Sequence, residues 1–275
     1  MIDTLILSGG GPSGVAYAGI LKALTEHNIL KRNDLNEIIT TSVGIIFSIL
    51  YLLDYNNDQI EKISLETDLT KLLNIDDLEI DNLLLKFGLF SNKPIADTIS
   101  SFIRHKTNLN DLTLEELYNL SKIILTVKVY NVTKGKIEYI NYKNNPNIKC
   151  TTLSMMTTAI PYFFQPVNYY NSLYVDGGLK GHFPIEVCKS KNYLGLNVKG
   201  GTTNKENFKI LQDLPILKFS MDLMNDRDNN IDLEDNKIFT YHINSGLNFS
   251  LDINERKKII EKGYNETIDY LKNYE

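Results

Sequence analysis

Residues 4–14 read Thr-Leu-Ile-Leu-Ser-Gly-Gly-Gly-Pro-Ser-Gly, a short apolar strand that runs directly into a glycine-rich loop. Val15 to His27 then has the spacing of a helix, and Leu35 to Thr41 predicts a second strand that leads into an apolar helix. A strand, loop, helix, strand and helix in this order predict the beginning of a parallel α/β sheet. The chain of 275 residues is long enough for a sizeable buried core, and we expect one domain over residues 1–275.

The remainder of the chain predicts a helical insertion followed by more of the sheet. A polar, mostly helical stretch from about Asp58 to Leu120 is interpreted as an inserted cap or lid region, which includes the Leu- and Asp-rich part Leu72 to Leu85. Further strands are predicted at Lys122–Tyr130, Lys136–Tyr142, Tyr193–Val198 and Lys237–Ile243, and a helix at Thr151–Ile160. The C-terminal residues predict an amphipathic helix with Ile260, Tyr264, Ile268 and Leu271 on one face.

The composition argues against several classes of protein. A net charge of -5 is unlike that of a nucleic-acid binder, which usually carries a basic face or stripe. The two cysteines are widely spaced, so neither a disulfide framework nor a zinc site is expected. The N-terminus lacks the pattern of a signal peptide, and the longest apolar run, Val43 to Leu53, is too short to span a membrane. We therefore expect an intracellular, cytoplasmic protein that contacts a membrane surface only transiently.

Gly9 to Gly14 matches the pattern G-x-G-x-x-G between a strand and a helix. The pattern alone fits a dinucleotide-binding loop or a plain tight turn. A dinucleotide site would also need an acidic residue at the end of the second strand, where this chain has Thr40-Thr41-Ser42. A P-loop would need Gly-Lys followed by Ser or Thr, which this loop lacks. The loop does offer backbone N–H groups at a helix N-terminus, which suit an anion or a developing oxyanion.

Two further motifs each supply one reactive side chain. Thr40 to Gly44 places Ser42 between a strand and a helix, as in a nucleophile elbow, although such a serine is more often only a helix N-cap. Asp176-Gly177-Gly178 follows an apolar run, and an Asp-Gly pair alone is usually just a turn. A carboxylate held near Ser42 can take the hydroxyl proton directly, as the base of a two-residue site.

Taken together and in this order, the glycine loop, the serine elbow and the Asp-Gly-Gly turn resemble the patatin-like phospholipase family. The resemblance extends from about Leu5 to about Val187. It includes Met155–Val167, similar to the family's helix-then-proline segment, and Asp176–Pro184, similar to its D-G-G-x-x-x-N-x-P turn. The resemblance implies a three-layer α/β fold, with a mostly parallel central sheet, helices on both faces and a helical cap insertion. It also implies a serine-dependent lipid acyl hydrolase.

The resemblance gives each matching residue a role. Ser42 is implied to be the nucleophile and Asp176 the base, so that catalysis needs no histidine. The glycine loop is implied to form the oxyanion hole, with the amides of Gly10 and Gly11 as donors, and its matching residues are Gly9, Gly10, Gly11 and Gly14. The residues implied to support the elbow and the Asp turn are Val43, Gly44, Gly177 and Gly178. The expected substrate is a lipid or phospholipid, cleaved without calcium, another metal or an organic cofactor, and the oligomeric state is left open.

Three residues depart from the family's pattern. Thr40 replaces the first glycine of the elbow; it can still fit if its side chain points away from the helix, but it adds bulk beside Ser42. Ser13 stands where many members carry Arg or Lys, and His182 stands where the family usually has Asn. His182 also permits an α/β-hydrolase triad by chain order, but it follows Asp176 so closely that a structural role is favoured. The alternatives are a catalytically weak or inactive lipid-binding or regulatory protein of this fold and a soluble short-chain esterase.

Overall fold

The computed structural model describes residues 1–67, 69–72, 85–200, 235–243, 245 and 248–272. In chain order, its strands are β1 (Thr4–Leu7), β2 (Glu37–Thr41), β3 (Gly88–Phe90), β4 (Ile124–Asn131), β5 (Lys136–Ile140), β6 (Tyr162–Phe164), β7 (Val167–Tyr169), β8 (Ser172–Asp176), β9 (Tyr193–Gly200) and β10 (Ile238–Ile243). Its α-helices are α1 (Ala16–Glu26), α2 (Gly44–Leu52), α3 (Asn57–Glu66), α4 (Lys93–Thr107), α5 (Leu114–Ser121), α6 (Cys150–Thr158) and α7 (Ile253–Lys272).

One central sheet contains eight of the described strands. Its order is β10-β9-β1-β2-β4-β8-β7, with β5 paired to β4 outside this path. Strands β10, β9, β1, β2 and β4 pair in parallel, while β5, β7 and β8 pair antiparallel to their neighbours. β3 and β6 form a separate two-stranded parallel sheet. The predicted α/β fold with a mostly parallel central sheet is therefore confirmed.

The central sheet is buried on both faces, as a parallel sheet requires. Successive residues of a strand point to opposite sides, so Leu5 and Leu7 join the main hydrophobic core while Ile6 joins a second cluster. That second cluster includes Ile39 from the neighbouring strand and Phe183 from the loop that follows Asp176. The residues that surround the Asp-Gly-Gly turn are thus held against the sheet by apolar packing.

Helix α1, which follows the glycine loop, packs closely against the C-terminal helix α7. A Cβ atom at Gly19 would lie 1.9 Å from the Ile260 carbonyl oxygen, and one at Gly263 would lie 2.6 Å from the Ala16 carbonyl oxygen. The two helix backbones therefore approach as closely as glycine permits. The buried residues of α7 include Ile260 and Leu271, as predicted, and also Gly263 and Thr267, while the other two predicted positions are only half-buried.

The predicted elements that fall on described residues are present, with ends shifted by a few positions. The proposed cap between Asp58 and Leu120 contains α3, α4 and α5, so its helical character is confirmed, and it also contributes β3. Most of the Leu- and Asp-rich stretch from Leu72 to Leu85 lies outside the described residues. Among the residues described, no helix combines the length and hydrophobicity that crossing a bilayer would require.

Candidate active site

The pairing of β4 brings the ends of β2 and β8 together. On one edge of β4, Lys128 pairs with Thr41, the last residue of β2, and the next residue, Val129, pairs with Asp176, the last residue of β8. β5 occupies the opposite edge of β4 along this stretch, so β2 and β8 must share the remaining edge, end to end. Ser42 follows Thr41 directly. The serine elbow and the Asp turn therefore converge beyond two strand ends that meet.

Ser42 occupies a sharp turn between β2 and α2. Its φ angle is +51°, in the left-handed region that non-glycine residues rarely adopt, and the residue is buried. Its backbone amide donates to the Thr157 hydroxyl oxygen at 2.8 Å, and that hydroxyl donates to the Lys128 carbonyl oxygen at 2.8 Å. Helix α6 thus anchors the turn to β4. These features are those of a nucleophile elbow, in which backbone strain holds the serine hydroxyl out of the helix.

Thr40 points towards α2, and the absence of a side chain at Gly44 makes room for it. A Cβ atom at Gly44 would lie 2.2 Å from the Thr40 hydroxyl oxygen and 2.9 Å from the Ser8 carbonyl oxygen. The threonine is fully buried, and its hydroxyl oxygen has no hydrogen-bond partner among the described residues. The Thr40 side chain is therefore directed at the helix, not away from it, because Gly44, the second small residue of the elbow, leaves the space that it fills.

Asp176 is completely buried at the end of β8. Its Oδ1 atom accepts a hydrogen bond from the Gly178 amide at 2.7 Å, whereas Oδ2 has no partner among the described residues. Burial raises the pKa of this carboxyl group to about 7, although the Ser42 hydroxyl, the Gly178 amide and the charge of Lys128 all favour the ionised form. The Ser42 hydroxyl is thus close enough to influence the carboxylate without completing an aligned hydrogen bond, as is common before substrate binds.

The glycine loop contacts the serine elbow directly. A Cβ atom at Gly9 would lie 3.0 Å from the Ser42 Cβ atom, and one at Gly14 would lie 2.6 Å from a methyl carbon of Val43. The Gly9 amide donates to the His182 carbonyl oxygen at 2.8 Å, which ties the loop to the segment after Asp176. Glycine at both positions is therefore required by close packing rather than by loop flexibility alone.

The amides of Gly10 and Gly11 have no hydrogen-bond acceptor among the described residues. Gly11 has a φ angle of +52°, and Gly10 packs against Val198 of β9, where a Cβ atom would meet the carbonyl oxygen at 3.2 Å. Ser13, in place of the family's basic residue, is fully buried and shares a 2.5 Å hydrogen bond with the Ser245 hydroxyl. Within the described part of the chain, the loop thus offers two N–H donors that have no acceptor, and it carries no charged side chain.

His182 makes contacts that suit a structural role. Its Nε2 atom lies 2.9 Å from the Asn197 Oδ1 atom, on β9, and its carbonyl oxygen accepts from the glycine loop. Burial lowers the pKa of the imidazole to about 4. A neutral histidine that hydrogen-bonds Asn197 resembles the asparagine expected at this position more than the imidazole of a catalytic triad.

An apolar cavity opens beside Ser42. Its volume is about 870 Å³, including the space at its mouth, and Ser42 and Gly11 contribute to its lining. The walls come from α2 and the residue before it, from the cap helix α4 and from two further aromatic side chains; they include Val43, Ile46, Leu50, Phe102, Phe164 and Phe249. None of the described residues that line the cavity is charged. The cavity therefore suits a hydrocarbon chain better than a polar ligand.

Sequence reasoning missed Thr157, Lys128 and Phe249 as parts of this region. Thr157 anchors the Ser42 turn, the Lys128 carbonyl accepts from Thr157, and Phe249 closes part of the cavity. Lys128 had one signal: a lysine inside the apolar strand Leu125–Val129 is unusual, because such a central strand is buried on both faces. Thr157 lies within the family-like segment Met155–Val167, which by itself gives the threonine no role, and Phe249 lies outside every motif.

Comparison with known proteins links this geometry to a family. The chain superposes on the crystal structure of VipD from Legionella pneumophila with a TM-score of 0.68 and 16% identity, covering 99% of this chain and 67% of that one. It is 30% identical over 185 residues to the Probable lipid hydrolase 463L of Invertebrate iridescent virus 6, and the match covers 67% of this chain and 62% of the relative.

Two further matches extend the comparison. The chain is 27% identical over 277 residues to the Uncharacterized protein R571 of Acanthamoeba polyphaga mimivirus, which covers 95% of this chain and 91% of that protein. The family model Patatin-like phospholipase matches residues 5–189, a span that contains the glycine loop, the elbow and the Asp turn. The chain therefore belongs to the patatin-like phospholipase family.

Proposed function

We propose that this protein hydrolyses fatty-acyl esters of phospholipids or related lipids, with Ser42 as nucleophile and Asp176 as base. The observation that carries the proposal is the shared edge of β4, which holds the serine elbow and the buried carboxylate at adjacent register positions beside an apolar cavity. Family membership and the similarity to a probable lipid hydrolase support the lipid substrate.

The proposed reaction has two steps. In the first, the Ser42 hydroxyl oxygen bonds to the ester carbonyl carbon while its proton passes to Asp176, which then protonates the departing alcohol. In the second, Asp176 takes a proton from water, the resulting hydroxide attacks the acyl-enzyme, and the fatty acid leaves as Ser42 regains its proton. A pKa of about 7 suits a group that must both accept and return a proton near neutral pH.

The glycine loop is proposed to stabilise the negative charge that develops on the ester oxygen. The amides of Gly10 and Gly11 are the proposed donors, because neither has an acceptor among the described residues. Gly9 and Gly14 shape the loop against the elbow. Loss of one such donor typically lowers kcat by about 10²- to 10³-fold.

The apolar cavity is proposed to hold the acyl chain, with the scissile ester at Ser42 and the headgroup outside. The scheme uses only protein groups, so we propose that it needs no calcium, other metal or organic cofactor. Because the substrate resides in bilayers or micelles, we also propose a cytoplasmic protein that contacts membrane surfaces transiently.

Release of fatty acid from phosphatidylcholine vesicles and from 4-nitrophenyl esters of short and long chains tests the proposal. The wild type should release fatty acid from vesicles in the presence of a calcium chelator, and Ser42→Ala and Asp176→Asn should each be inactive. Vesicle binding without Ser42-dependent turnover would favour the lipid-binding alternative instead. Turnover confined to short esters would favour the soluble esterase.

A further inference from the structure

Lys128 lies between the two arms of the site, which are the serine elbow at Ser42 and the turn at Asp176. It pairs with Thr41, the residue before Ser42, and precedes Val129, which pairs with Asp176. Its side chain is 1% exposed, although a lysine is rarely buried to this extent without a specific partner. The Ser-Asp chemistry proposed above makes no direct use of this ammonium group, so its burial needs another explanation.

The Lys128 ammonium group has three acceptors, one for each of its protons. It donates to the Lys180 carbonyl oxygen at 3.0 Å, to the Gly181 carbonyl oxygen at 2.8 Å and to the Glu186 Oε1 atom at 2.6 Å. The Glu186 carboxylate is half-exposed and also accepts from the Tyr139 hydroxyl. One side chain therefore ties the segment after Asp176 to β4.

The backbone of Lys128 contacts both arms of the site. Its carbonyl oxygen accepts from the Thr157 hydroxyl, which in turn accepts from the Ser42 amide. A Cβ atom at Gly177 would lie 2.5 Å from the same carbonyl oxygen and 2.8 Å from the Lys128 Cγ atom. Displacement of this residue would thus move the serine elbow and the Asp turn relative to each other.

We propose that Lys128 is a positioning residue that sets the separation of the Ser42 hydroxyl from the Asp176 carboxylate and places a positive charge in the surroundings of that carboxylate. This inference rests on the proposed function, since it assumes that these two groups react together. Lys128 does not line the cavity, and it is assigned no proton transfer. It acts only through the serine elbow and the Asp turn, which it joins.

The charge of Lys128 favours the ionised form of Asp176. Three other titratable groups lie near the Asp turn: the side chains of Glu186, His182 and Lys180. The Glu186 carboxylate offsets the charge of Lys128, and burial keeps His182 neutral at pH 7. The Lys180 ammonium group lies over the Tyr130 ring, 5.5 Å from its centroid. Removal of the Lys128 charge should therefore raise the pKa of Asp176, and removal of the Glu186 charge should lower it.

Profiles of kcat/KM against pH for 4-nitrophenyl butyrate test the inference. Lys128→Met should lower kcat by about 10²-fold, because small displacements of reacting groups are costly, with a smaller effect on KM. In the Lys128→Met variant, the rise of kcat/KM on the acid side of the pH profile should shift to higher pH by about one unit, because the pKa of Asp176 rises. Glu186→Gln, which replaces the half-exposed carboxylate with a neutral amide of the same shape, should move the acid limb of its profile downward. Lys136→Met removes an exposed lysine of the β4–β5 hairpin and should leave the profile unchanged.

The acid limb should shift upward in Lys128→Met and downward in Glu186→Gln. A general loss of folding would lower the activity of both variants without shifts of opposite sign. Coincident acid limbs in wild type and Glu186→Gln, together with wild-type kcat in Lys128→Met, would overturn the inference. If Lys128→Met does not fold, the direction of the Glu186→Gln shift decides alone. A wild type without Ser42-dependent turnover would instead defeat the proposed function, before the variants are compared.

Discussion

Replacement of Asp176 by asparagine should stabilise the folded protein at neutral and alkaline pH while abolishing ester hydrolysis. Burial raises the pKa of Asp176 to about 7 in the folded protein, whereas the ordinary pKa of an aspartate, taken here for the unfolded chain, is 3.8. Between these two values the folded protein retains a proton that the unfolded chain has released. The free energy of unfolding should therefore fall as the pH rises from about 4 to about 7, and this contribution should be constant above that range.

The magnitude follows from the difference between the two pKa values. A rise from 3.8 to about 7, at about 1.4 kcal/mol per unit, corresponds to a cost of about 4 kcal/mol for the ionised carboxylate at pH 8. Asparagine keeps an oxygen that can accept from the Gly178 amide and carries no charge. Asp176→Asn should therefore be more stable than the wild type by about 4 kcal/mol at pH 8 and by nearly nothing at pH 4.

Urea unfolding of the wild type and Asp176→Asn, followed by circular dichroism from about pH 4 to about pH 8.5, measures this difference. Ser42→Ala is the matched control, because it also removes activity but keeps the buried carboxyl group, and its stability should fall with pH as in the wild type. A difference between wild type and Asp176→Asn that stays the same at every pH would refute the assignment of a raised pKa to Asp176.

Three further predictions concern the same site. The wild-type kcat/KM for a soluble ester should rise with pH through about 7 and level off above it, because Asp176 acts ionised; a flat profile from pH 5 to pH 8 would contradict this. His182→Asn should keep most of the activity, since an amide can also hydrogen-bond Asn197. A loss as large as that in Ser42→Ala would support the alternative of a Ser42-Asp176-His182 triad. Thr40→Val should raise the free energy of unfolding by about 1 kcal/mol in thermal or urea unfolding, because it removes a buried hydroxyl that has no partner among the described residues; destabilisation would show that the hydroxyl is satisfied.

The residues of the candidate site could be selected from the sequence because their signals are local. A serine at a strand-to-helix turn followed by Gly44, and an aspartate before two glycines, report the backbone geometry of each turn within a few residues of sequence. The glycine loop was equally visible, and the structure explains Gly9 and Gly14 by contacts with the elbow. The order of these motifs along the chain then identified the family, which the comparisons confirm.

The features that join these motifs depend on long-range pairing and could not be predicted. Nothing local indicates that β8 pairs with the edge of β4 directly beyond β2, because strand register is set by tertiary contacts. The direction of the Thr40 side chain and the contact of Thr157 with the Ser42 amide depend on the same packing. In α7, Gly263 is buried because α1 approaches closely, whereas the sequence pattern favoured the larger side chains nearby.

Labelling with a fluorophosphonate probe tests the central claim most directly, because the probe reacts only with an activated serine. Wild type, Ser42→Ala and Asp176→Asn should be compared side by side, after circular dichroism has shown that each is folded. We predict that the wild type is labelled, that Ser42→Ala is not, and that Asp176→Asn reacts far more slowly. Equal labelling of wild type and Ser42→Ala, or no labelling of the folded wild type, would contradict the claim that Ser42 is the nucleophile.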